Sequence, residues 1–106
     1  MTTRQLTILL AERVMGWRVA PDRFLMDRRR WLATWRFQPA KIVGDAFKLL
    51  ETADLVEYAL GADENGDYWV KLRTNTVSTE ASGSSLPLAI CLAVAQAYGI
   101  QVEASE

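Results

Sequence analysis

Between Leu86 and Tyr98 the chain carries one polar residue, Gln96, in a run of Pro, Leu, Ala, Ile, Cys and Val. Ser84 or Ser85 can cap a helix there, with Pro87 in its first turn and Gly99 at its end. A helix that is apolar on every side cannot sit at a water-exposed surface. Other elements, or a second subunit, must cover it on more than one side. The chain must therefore build a layered body around this helix. The run from Leu86 to Val94 is too short to cross a bilayer, which takes about 20 residues, so no membrane partner is expected.

At 106 residues, 1–106 reads as a single domain. Half of the residues are apolar, with four Trp, three Tyr and three Phe, enough for a small core. A chain of this size buries only roughly two thirds of its unfolded surface. A homo-oligomer is expected, most simply a two-fold dimer. The net charge of −1 argues against bulk attraction to nucleic acid or anionic lipid. No basic, apolar leader opens the sequence, so the expected location is cytoplasmic. Cys91 is the one cysteine and histidine is absent. That removes the commonest general base, the commonest metal ligand and every Ser/His or Cys/His pair. The expectation is a protein that is not an enzyme, with no metal and no cofactor, and Cys91 as an inert buried thiol.

Leu6, Leu10, Val14 and Trp17 recur at helical spacing and place a first helix from Arg4 to Gly16, capped by Thr3. The segment 20–36 is irregular. Short extended pieces fit it better than a helix, because Ala20-Pro21-Asp22 signals a turn and Asp27-Arg28-Arg29-Arg30 splits two apolar islands. Pro39 suits the first turn of a second helix running to Ala53. Ile42, Val43, Ala46, Phe47, Leu49 and Leu50 then form its buried face, and Asp45 points to solvent beside Lys41 and Lys48. Leu55–Leu60 and Tyr68–Arg73 alternate as strands do, joined through Asn65-Gly66, a strong hairpin signal. Thr74–Ala81 gives a third, more polar strand with Val77 inside. The tail 103–106 is expected to fray. The order helix, irregular segment, helix, antiparallel strands, helix implies an α+β domain.

Three sequence stretches carry a resemblance. Leu10-Ala11-Glu12-Arg13-Val14-Met15-Gly16-Trp17 opens it. Phe37-Gln38-Pro39 with Asp45-Ala46 continues it. Thr79-Glu80-Ala81 and Leu86-Pro87-Leu88-Ala89-Ile90-Cys91-Leu92-Ala93 close it. Together they resemble the phage and prophage ABA sandwich domain family from about Leu6 to Ile100. The resemblance implies a small three-layer helix/antiparallel sheet/helix sandwich and a viral origin. It implies no catalytic residues. The chain departs from the pattern between Ala20 and Arg36.

That departing segment holds the strongest site candidate: Arg28, Arg29, Arg30, Trp31, Trp35 and Arg36. Guanidinium forks grip phosphate in bidentate fashion and indole faces stack on bases. The plain alternative is a solvated basic turn whose tryptophans plug the core. Glu80, Ser84 and Ser85 lead into the last helix, where free N–H groups and hydroxyls can hold an anion, against simple capping. Trp69, Lys71 and Arg73 share a strand face. The expectation for Trp69 is packing beneath a helix, with single-strand nucleic acid binding as the competing reading. The functional reading is a phage-encoded, non-catalytic binding module. It would act as a sponge for a small nucleotide-like anion used in host anti-phage signalling. The alternative is a protein-interaction module that inhibits or redirects a host protein.

Overall fold

A computed structural model describes residues 2–26 and 30–100. The described residues form an α+β sandwich of three α-helices and two three-stranded antiparallel sheets. Helix α1 spans Thr3–Arg13, α2 Val43–Thr52 and α3 Leu86–Ala97. The small sheet, ordered β1-β2-β3, comprises Arg18–Val19, Arg23–Leu25 and Trp31–Ala33. The large sheet, ordered β4-β5-β6, comprises Glu57–Ala62, Tyr68–Arg73 and Ser78–Gly83.

Helix α3 is enclosed as its composition demands. Ala89, Ile90, Cys91, Ala93, Val94 and Ala95 are each 0% exposed. At 3.6 residues per turn these six positions cover about two thirds of the helix circumference. Gln96, the polar exception, lies exposed. One flank of α3 rests on β5 and β6, and another meets α2. The seat on β6 is close. The Thr79 hydroxyl donates to the Ala93 carbonyl at 3.2 Å, and a Cβ on Gly83 would meet the Ala89 nitrogen at 3.2 Å. Ser85 caps the helix, its Oγ accepting from the Leu88 N–H. A single chain thus covers most of α3.

Helix α1 begins one residue earlier than the sequence suggests. Thr2 is the cap, in a reciprocal box with Gln5: Thr2 Oγ1 accepts from the Gln5 N–H, and Gln5 Oε1 accepts from the Thr2 N–H. The described part of the segment 20–36 holds two short strands, Arg23–Leu25 and Trp31–Ala33, as its broken pattern implies, followed by a 3-10 turn at Thr34–Arg36. Its contribution to the core is Phe24, fully buried beside Trp17 and Phe37 with ring centroids 4.9 to 6.1 Å apart. Trp31 and Trp35 do not plug the core; they are 51% and 71% exposed.

Pro39 does not open α2. It is buried in a turn closed by the Lys41 and Ile42 N–H groups on the Gln38 carbonyl, and the helix starts at Val43. Asp45 explains the shift. It is buried, not solvent-facing, and its Oδ2 accepts the Gln38 N–H at 2.9 Å. That bond ties the turn to the helix's first turn, where a carboxylate also suits the dipole. Lys48 approaches its other oxygen at 3.9 Å. Ile42 and Val43 fall at the helix entrance and are exposed.

In the large sheet, Asp63 Oδ1 accepts from the Asn65 and Asp67 N–H groups, and Gly66 turns the chain at φ +87°. The third strand starts at Ser78, not Thr74. The Thr74 hydroxyl accepts from the Thr76 and Val77 N–H groups, closing a turn that leaves Val77 exposed. Register separates the two faces of the sheet. Val70, Leu72 and Ala81 are buried toward α3, and Glu57, Ala59, Trp69, Lys71, Arg73, Ser78, Glu80 and Ser82 alternate with the inward set on the opposite face.

Candidate functional site

On this outward face, strand alternation brings an aromatic ring, two cations and two carboxylates together. Arg73 lies opposite Glu57 in the β4–β5 register and pairs with it, Nε to Oε1 at 2.7 Å. Lys71 lies opposite Ala59 on one side and Glu80 on the other. Trp69 lies opposite Gly61 and Ser82. The indole sits directly over Gly61, in the space a Cβ would take. Lys71 Nζ stands 5.5 Å from the ring centroid. Trp69 is therefore not beneath a helix: the sheet's own glycine supports it, and a cation borders it.

On the far side of Lys71 from the ring is a concavity of about 520 Å³, with Glu57, Ala59, Lys71, Arg73, Ser78 and Glu80 among its lining residues; Trp69 itself does not line it. Small-molecule sites commonly span roughly 300–1,000 Å³. A planar group can stack on the indole. The ammonium and guanidinium can take an anionic tail, and the Glu80 carboxylate can accept from hydroxyl or amino groups.

The residues singled out in the sequence divide among several places. Glu80 joins Lys71 and Arg73 on the sheet face; of the described arginines of the 23–36 segment, Arg23, Arg30 and Arg36, none is among the lining residues of that concavity. Ser85 is engaged as the α3 cap and Ser84 is exposed. Trp31 carries the Arg23 guanidinium at 5.0 Å, and Arg23 also pairs with Asp22 at 3.1 Å. Arg36 lies 5.7 Å from Trp35. Arg30 is exposed. Arg28 and Arg29, like the tail 103–106, fall outside the described residues. Glu57 and Gly61 were not singled out in advance. A glycine inside an alternating strand was the available signal, since it marks a close approach by a neighbour.

Among the described residues no group of three or more His, Cys, Asp or Glu could hold a metal ion. No helix among the described residues is long and apolar enough to cross a membrane. Cys91 is fully buried, and desolvation pushes its thiol from the usual 9.0 up to about 12.

The sequence profile of the phage ABA sandwich domain matches residues 8–94. The chain belongs to the phage ABA sandwich domain family. Among solved structures, this ABA sandwich chain is similar to the 2.0 Å crystal structure of a phage protein from Bacillus cereus ATCC 14579, with a TM-score of 0.82. The two share 17% identity over 97% of this chain and 93% of the other, which establishes a common fold. No curated protein matches the sequence.

Proposed function

We propose that this phage ABA sandwich domain is a non-catalytic binding module that holds a small nucleotide-like anion on the outward face of its large sheet. The observation that carries the reading is the Trp69 indole laid over Gly61, with Lys71 beside it and Arg73 and Glu80 in the adjoining concavity. The base stacks on Trp69, the phosphate meets Lys71 and Arg73, and Glu80 accepts from ribose or amino groups. Membership of a phage family supplies the biological context. In the host cytoplasm, a protein that binds without turnover removes a signalling nucleotide by mass action, and so acts as a sponge against anti-phage defence. The near-balanced charge of the face favours one small ligand over a nucleic acid strand.

The test is a thermal-shift screen with mono-, di- and cyclic nucleotides at low salt, alongside Trp69→Ala and Lys71→Gln. Stabilisation by one nucleotide class that is lost in both variants supports the reading. Absence of any shift at millimolar ligand overturns it. The exposure of Trp31 and Trp35, each near an arginine, favours a second reading. Trp and Arg dominate binding hot spots, and a host protein docked there would be inhibited or redirected. Stoichiometric capture from host lysate that is abolished by Trp35→Ala and untouched by Trp69→Ala would select that reading.

A further inference from the structure

We infer that the cleft between the start of α1 and the 34–41 segment is a second, independent site, for a small organic anion with an apolar end. The cleft encloses about 200 Å³ and shares no lining residue with the sheet face. Its charge is one-sided. Arg4 and Lys41 line it and no carboxylate does, in a chain whose net charge is −1. Arg4 is held there by its Nη2 donating to the Pro21 carbonyl at 3.4 Å. Phe37 and Ala40, both buried, supply an apolar wall.

An independent observation points to an occupant. The Thr34 hydroxyl is the one buried side-chain polar atom without a hydrogen-bond partner among the described residues, and Thr34 stands in the wall of this cleft. Buried hydroxyls in native proteins are nearly always satisfied. An anion seated between Arg4 and Lys41, with Thr34 turned about χ1, supplies the missing acceptor. The cations neutralise its charge, and the aromatic wall takes its carbon portion. Phosphate monoesters and carboxylates of phenyl size have this chemistry. Nothing in the arrangement calls for a base or a sugar, so the site does not depend on the reading of the sheet face.

Phenyl phosphate is the probe, titrated into the full isotope-labelled chain at constant ionic strength and followed by amide chemical shifts. Benzyl alcohol serves as the neutral analogue. Saturable shifts centred on Arg4, Thr34 and Lys41 are expected, with no saturation by benzyl alcohol over the same range. Arg4→Gln with Lys41→Gln should weaken binding at least tenfold, and Thr34→Val should weaken it several-fold in a folded protein. Glu51→Gln, an exposed position that lines neither concavity, should leave it unchanged. Non-saturating shifts at Arg4, Thr34 and Lys41, saturation that spares those three residues, equal binding there by benzyl alcohol, or equal affinity in the Arg4/Lys41 double variant would each overturn the inference.

Discussion

Replacing Gly61 by alanine tests the sheet-face platform at its foundation. The new Cβ would stand 2.6 Å from the Trp69 Nε1, and closer still to Cε2 and Cζ2. Favourable contacts between carbon atoms lie at about 3.5–4.0 Å. The indole cannot remain, and a rigid Cβ cannot move aside. Two favourable contacts are lost with it. A cross-strand aromatic contact contributes about 0.2–1 kcal/mol. The Lys71 ammonium over the ring contributes about 0.5–1 kcal/mol at an exposed site. Against these, alanine in a strand interior gains about 0.5–1 kcal/mol over glycine. In the native background the terms nearly cancel, so the stability of the single variant decides little. In a Trp69→Ala background only the gain survives, and Gly61→Ala becomes stabilising. The coupling between the two positions is therefore about 1–2 kcal/mol. Urea unfolding of the four proteins, followed by far-ultraviolet circular dichroism, measures it as a double-mutant cycle. Additivity within about 0.3 kcal/mol, the range expected of independent sites, would refute the placement of the ring and the platform built on it.

Asp45→Ala removes the acceptor of the Gln38 N–H and should destabilise by about 1–3 kcal/mol, as loss of a buried partner does; Lys48→Ala, whose nitrogen is 3.9 Å from the carboxylate, should shift the urea midpoint far less. Val94→Ala should cost about 2–4 kcal/mol in chemical denaturation, because the side chain is fully enclosed and a cavity would remain. The Cys91 thiol should resist aromatic disulfide reagents at pH 8 until the protein unfolds. Its folded pKa, about 12, lies above the usual 9.0, so the stability it contributes is intact below pH 9. Above pH 9 the unfolded thiol ionises while the folded one does not, and stability should fall by about 1.4 kcal/mol per pH unit toward pH 12. Cys91→Ala should lack that alkaline dependence; an identical pH profile would contradict the assignment.

The elements that local chemistry specifies were legible in the sequence. Ser85 before an apolar run gives α3, and Asn65-Gly66 between alternating segments gives the β4–β5 hairpin. The broken pattern around 20–36 implies short extended pieces, which are present. Errors fell where a side chain reached beyond its own element. Pro39 is chemically fit to open a helix, but the Asp45 bond to Gln38 holds it in the preceding turn. Thr74 satisfies its own turn and delays β6 to Ser78. Spacing placed Trp69, Lys71 and Arg73 together, yet spacing is silent on which face a helix will cover. That choice belongs to α3, which settles on Val70, Leu72 and Ala81 and leaves the other residues outside. The arginine–tryptophan segment was visible as composition, whereas its pairing of Arg23 with Trp31 required the register of β2 against β3.

Strand β5 follows two alternating codes in six residues. Positions 70 and 72 answer to helix α3, and positions 69, 71 and 73 to whatever approaches from solvent. Substitutions in the second set leave the interior intact, so the outward face can be rewritten one codon at a time while the same scaffold goes on folding.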